Sequence, residues 1–313
     1  MKVLITGATG MLGRSLYRYL NDTVGYECIG TGFSRAQPPI KKLDLLNPDE
    51  ISQFLDESKP DVVVHCAAER FPDRAAADPK RTLALNVDSC LCLAKKCAQI
   101  GARLVYISTD YVFDGGVKSG VRPPYQIDAK TMPINLYGES KLAGEEAVLS
   151  IKDANAVAVR VPVLYANDCY DLAESATLVI AKSLLSKSSA TTVDNWGVRF
   201  PTLVDDVSVV LGHIIEATQR PNNPIGNIRL HVSSSERCTK YELAKMMAKI
   251  TGADASHIQP DSNPPSGAPR PQNTQLNCEK TWEVLGIAPF KFIPLHDGLQ
   301  GALAPFMDMF ESS

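Results

Sequence analysis

The chain has 313 residues, 44% of them hydrophobic and 21% charged, the balance of an ordinary globular protein long enough for one large domain or two modest ones. Its formal net charge of −3 gives no basic excess for nucleic acid and no polybasic membrane anchor. No apolar run approaches the roughly 20 residues of a membrane span. The opening run is broken at once by Gly7, so no secretory leader is expected. Eight cysteines without a CxxC pair suit reduced thiols in a cytoplasmic protein. His213, His231, His257 and His296 lack metal-ligand spacing, so no metal is expected.

In chain order, KVLIT at 2–6 reads as a buried strand and 11–20 as a helix. A strand follows at 27–31, then a helix at 48–58 with Asn47 as its N-cap. DVVVHC at 61–66 is a strand, 80–100 a long helix, 103–108 a strand, 135–149 a helix and 156–161 a strand. Strands without polar alternation are buried on both faces, and strand–helix alternation implies a doubly wound parallel sheet flanked by helices. The fold class is therefore α/β. Farther on, 174–185, 204–218 and 239–250 read as helices, 228–232 as a strand and 261–270 as a loop rich in proline, glycine and serine. The expected division is a Rossmann domain over 1–165, with 200–232 returning to it, and a smaller α/β substrate- or partner-binding lobe over 166–313.

The first strand runs into a GxxGxxG loop of Gly7, Gly10 and Gly13 at the start of a helix. Such glycines allow a tight turn, a close backbone approach to a pyrophosphate and close helix–sheet packing, and the helix N-terminus offers free N–H groups. Thr9, Met11 and Leu12 complete the loop. After the second strand an NAD site places a carboxylate for the ribose, whereas here Ser34 and Arg35 stand without an acid. A guanidinium pairs with a 2′-phosphate that a carboxylate would repel, so NADP(H) is the expected cofactor. The alternative is a solvated loop arginine. Asp44 and Leu45, near the adenine edge, and Cys66, Ala67 and Ala68, at a strand end, extend the cofactor set, together with Asn86, Ser108, Tyr137 and Lys141.

Tyr137 and Lys141 lie four apart, on one face of a helix. An ammonium beside a phenol favours phenolate, which suits proton donation to a carbonyl during hydride transfer. Thr109, or alternatively Ser108, ends the preceding strand with a hydroxyl for that carbonyl oxygen. Thr109, Tyr137 and Lys141 are the catalytic candidates; a surface helix pair is the alternative for the last two.

GATGMLG at 7–13, STDYVFDG at 108–115 and NLYGESKLAGE at 135–145 resemble the extended short-chain dehydrogenase/reductases, and within them the dTDP-4-dehydrorhamnose reductase family. CAAER at 66–70, LAES at 172–175, DNWGVRFPT at 194–202 and RPQNTQLNC at 270–278 are similar to the regulatory β subunits of methionine adenosyltransferase. This resemblance implies an NADP(H)-binding protein that partners a catalytic methionine adenosyltransferase subunit in S-adenosylmethionine biosynthesis. The alternative is an active NADPH-dependent reductase of a keto substrate, such as a nucleotide-linked 4-keto-6-deoxy sugar. Glu69, Arg70, Trp196, Arg199 and Arg270 are the candidates for the substrate or partner lobe. Arg199 and Arg270 are read as grips for a phosphorylated substrate, with structural salt bridges the alternative. A homodimer through the sheet-flanking helices is the family expectation.

Overall fold

The computed structural model describes residues 1–185, 190–221 and 225–311. In chain order the elements are β1 (Lys2–Thr6), α1 (Met11–Asn21), β2 (Glu27–Gly32), β3 (Lys41–Lys42), α2 (Pro48–Ser58), β4 (Val62–His65), α3 (Pro72–Ala77), α4 (Pro79–Leu83), α5 (Ser89–Ile100) and β5 (Arg103–Thr109). They continue with α6 (Leu136–Ser150), β6 (Val157–Val161), β7 (Leu164–Tyr165), β8 (Thr191–Asp194), β9 (Thr202–Leu203), α7 (Val204–Thr218), β10 (Ile228–His231), α8 (Lys240–Thr251), β11 (Ile258–Asp261), α9 (Glu279–Leu285) and α10 (Leu295–Leu303).

Seven strands form one parallel sheet in the order β10-β6-β5-β4-β1-β2-β3. The order reverses direction between β1 and β4, and a crevice opens at such a switch point. The three valines of β4 are fully buried, as a strand covered on both faces requires. One face is covered by α1 and α7, the other by α2 and α5, each with its own apolar cluster. The second half adds two small parallel pairs, β8 with β11 and β7 with β9. Asn47 caps α2 through the N–H groups of Asp49 and Glu50, and Thr239 forms a capping box with Glu242 at α8.

Three segments differ from the sequence expectation. The long helix over 80–100 is α4 and α5 joined by a π-helical turn at Ala84–Asp88. The segment 174–185 contains 3-10 turns, Leu172–Glu174 and Leu178–Leu184, rather than one α-helix. Ser175 breaks it, its hydroxyl accepting from the N–H groups of Thr177 and Leu178. A β-strand lies at β11, just ahead of the expected loop, because its partner β8 lies 67 residues earlier in the chain, from Ile258 to Thr191.

Among the described residues, no helix is long and apolar enough to cross a membrane, and no group of three or more His, Cys, Asp or Glu is placed to hold a metal ion.

Candidate functional site

A cleft of about 700 Å³ lies along the ends of β1, β2, β4 and β5 and is closed on its far side by the second half of the chain. All of the expected cofactor residues line it except Asn86. Asn86 is fully buried behind the wall, where its amide holds the backbone of Glu69 at both N–H and C=O and donates to Ser140.

The glycine loop is shaped for close approach. Gly7 turns out of β1 at φ +70°, which L side chains rarely adopt. A Cβ on Gly13 would overlap the carbonyl of Gly7, so α1 packs against the turn only because that side chain is missing. Gly10 is the N-cap residue of α1 and supplies no side-chain cap, which leaves the first helical N–H groups to face the cleft. This cradle, which a Cβ would fill, fits a dinucleotide pyrophosphate.

At the end of β2, Arg35 lines the cleft and pairs with Glu174 at 3.2 Å. Glu174 comes from the second half of the chain and also holds Arg14 at 2.8 Å. Arg14 in turn donates to the carbonyl of Thr9 within the glycine loop.

At the other end of the cleft stand Thr109, Tyr137 and Lys141. Helix α6, which carries the last two, starts on the side chain of Asn135, which accepts from Gly138 N–H at 2.8 Å. It is locked to the sheet by Glu145, a fully buried carboxylate. Arg160 of β6 reaches it at 2.7 Å, Arg229 of β10 also pairs with it, and Ser108 donates to it at 2.9 Å. Ser108 therefore spends its hydroxyl behind the cleft, and Thr109 is the strand-end residue with a hydroxyl at the reacting side.

The electrostatics differ from the sequence argument. Burial pushes the Tyr137 phenol well above its usual pKa; a hydrogen bond with Thr109 and the charge of Arg70 work against that, while Asp110 adds to it. Arg70 is a cation that favours phenolate here. Lys141 sits over the ring of Tyr106 at 4.1 Å, and burial pushes its ammonium down to about 8. His65, beneath, is held neutral by burial and by Lys141, at about 3.

The second half contributes the cations Arg199, Lys240 and Arg270 to the cleft, which Arg70 also lines. Arg270 is tied to Asp73 at 2.7 Å. Arg199 is buried, with Nη1 donating to the carbonyls of Val198, Pro271 and Gln272, while Nη2 has no hydrogen-bond acceptor among the described residues. Burial pushes Lys240 down, with Arg199 and Arg270 adding to that effect. Glu69 and Trp196, expected in this group, do not line the cleft; Glu69 instead accepts from the N–H of Phe71.

Asp110 is the main residue the sequence reading passed over. It lines the cleft fully buried, and its carboxyl is raised to about 6, first by burial, with Thr274, Arg199 and Thr109 opposing. Its position beside Thr109 was the available signal. Thr274, which donates to Asp110 from behind, and Lys240, which lines the cleft, carry no local signal, because tertiary folding brings each of them there.

Residues 1–300 match the family model described as the RmlD substrate binding domain. The chain is 40% identical over 307 residues to methionine adenosyltransferase 2 subunit beta of Xenopus tropicalis, covering 98% of this chain and 88% of that one. It is 31% identical over 306 residues to dTDP-4-dehydrorhamnose reductase of Mycolicibacterium smegmatis, covering 97% and 85%. The crystal structure of dTDP-4-dehydrorhamnose reductase from Bacillus anthracis in complex with NADP matches with a TM-score of 0.77 at 25% identity, covering 97% of this chain and 98% of that one. UDP-glucose 4-epimerase from Thermotoga maritima shares the fold, with a TM-score of 0.80 at 21% identity over 98% of this chain and 99% of that one.

Proposed function

This chain belongs to the RmlD substrate binding domain family, and on that premise we propose that it is a cytoplasmic NADP(H)-binding protein that serves as the regulatory β subunit of a methionine adenosyltransferase. The observation that carries this reading is likeness to such subunits along nearly the whole chain, higher than the likeness to the sugar-nucleotide reductase. The cofactor part rests on the glycine cradle and on Arg35 at the cleft wall. In this reading a bound dinucleotide ties the two halves of the chain together across the cleft, and the surface so fixed docks on the catalytic subunit. The test is to mix the full chain with the catalytic methionine adenosyltransferase of its own organism. Co-purification and a changed rate or methionine affinity are expected. No effect on either quantity at high excess would sink the idea.

A second reading is favoured by the intact Thr109, Tyr137 and Lys141 and by the unpaired Nη2 of Arg199: an NADPH-dependent reductase of an anionic keto compound. When bound, the dinucleotide would supply a hydride to the carbonyl carbon. Tyr137 would give its phenol proton to the carbonyl oxygen, with Thr109 donating to that same oxygen once its hydroxyl proton is released by Asp110. Arg199 and Lys240 would orient the anion, and Lys141 would hold the nicotinamide ribose. Tyr137→Phe should then keep NADPH binding and lose about 100-fold or more in carbonyl reduction; equal turnover would exclude the mechanism.

A further inference from the structure

The 3-10 strap at Leu172–Glu174, whose Ala173 lines the cleft, is held by charge. Arg14 gives both terminal nitrogens to Glu174, at 2.8 and 3.2 Å, and adds the carbonyl of Thr9 and the backbone and side chain of Asp168. It has no donor to spare. Arg35 is different: it meets Glu174 through one nitrogen at 3.2 Å, and its side chain is 52% exposed while that of Glu174 is 10% exposed. Glu174 also accepts from the N–H of Tyr170, and its carbonyl accepts from Arg70. Burial alone would raise the Glu174 carboxyl, but hydrogen bonds from Arg14, Tyr170 and Arg35 hold it below its usual value, so it is a carboxylate at neutral pH. The carboxylate missing from the end of β2 is thus supplied in space by a residue about 140 positions away, 139 by chain separation.

We propose that Glu174 is a specificity-determining residue, which weakens the cleft's preference for a 2′-phosphorylated dinucleotide by competing with that phosphate for Arg35. The inference rests on the reading that Arg35 meets the 2′-phosphate. A phosphate arriving at Arg35 must draw the guanidinium off Glu174 or share it with a second anion. A ribose 2′-hydroxyl carries no charge and so does not compete with Glu174 for Arg35. Glu174 is fixed from behind by Arg14, so it cannot simply leave.

Calorimetric titration of the full chain tests this with 2′,5′-ADP and 5′-ADP, alongside NADPH and NADH. Glu174→Gln keeps the size and removes the charge, leaving one amide oxygen to accept where Arg14 and Tyr170 now use both carboxylate oxygens. It is expected to bind NADPH and 2′,5′-ADP about fivefold more tightly, the scale of one partly exposed ion pair, with NADH and 5′-ADP changed less than twofold. Adding Arg35→Gln should abolish the gain. Unchanged or weaker NADPH binding in Glu174→Gln would overturn the proposal. So would an equal gain for 5′-ADP, or the same gain from Asp168→Asn, which loosens the strap without touching Arg35. Should the parent bind neither dinucleotide, the cofactor reading itself fails and takes this inference with it; tight NADPH binding with no response to Glu174→Gln defeats the inference alone.

Discussion

Thr109 gives its hydroxyl proton to its neighbour in the chain: its Oγ1 donates to Oδ1 of Asp110 at 3.1 Å, while accepting from the N–H of Tyr111 at 3.2 Å. A hydroxyl has one proton to donate. As long as Asp110 is ionised, that proton is held by the carboxylate rather than offered to a ligand in the cleft. Once Asp110 is protonated it can donate to Thr109, which frees the Thr109 proton.

Asp110 should therefore make both stability and chemistry depend on pH. Burial raises its folded carboxyl to about 6, above the unfolded value near 4. The stabilisation is full below pH about 4 and is lost as pH rises through about 6, a difference of about 3 kcal/mol. Asp110→Asn should unfold at higher urea than the parent at pH 8 and at nearly the same urea at pH 4. A parent that is equally favoured over the variant at both pH values would refute this.

Lys141 stores a similar cost. Its folded pKa of about 8 lies below the ordinary lysine value because the ammonium is buried. The protein bears that penalty below pH about 8, and it fades as pH rises toward the unfolded value near 10.4. Lys141→Met should raise the melting temperature at pH 7, while NADPH binding weakens about tenfold or more from loss of a charged hydrogen-bond donor. Melts with and without NADPH separate the two effects.

Gly13→Ala should break the cradle. The added Cβ overlaps the Gly7 carbonyl and crowds Ala8, so α1 must move away from the loop. A cost of about 1–3 kcal/mol is expected, together with loss of dinucleotide binding by fluorescence titration. Normal NADPH affinity in a folded Gly13→Ala protein would show that the loop does not hold the pyrophosphate.

Glu145→Ala should be the most damaging of these changes. It leaves Arg160, which is fully buried, and Arg229 without their carboxylate. Breaking a buried pair in this way costs about 3–5 kcal/mol. Urea denaturation should show that loss, and a loss under about 1 kcal/mol would mean that the network is not what fixes α6 to β5, β6 and β10.

How much was legible beforehand depended on the range of the interaction. The continuous apolar runs and the glycine loop are local signals, and β1, α1, α2, β4 and α7 appear where those signals put them, to within a residue or two. The departures come from distant contacts. The 3-10 strap at Leu172–Glu174 carries the glutamate held by Arg14 and Arg35, and β11 forms beside a strand far behind it in the chain. No spacing rule predicts either, because the deciding partner lies more than sixty residues away.

By itself the sequence determined the doubly wound sheet, the phosphate cradle and the order of Thr109, Tyr137 and Lys141, since each follows from backbone conformation and side-chain periodicity over a few residues. Only the tertiary structure decided the charges in the cleft. It sends Ser108 to Glu145 and sets Lys141 over the ring of Tyr106. It sets Arg70 toward Tyr137 and brings Glu174 onto Arg35. The physical reason is that burial and ion pairing depend on what folds over a residue, and the chain that does so here comes largely from its second half.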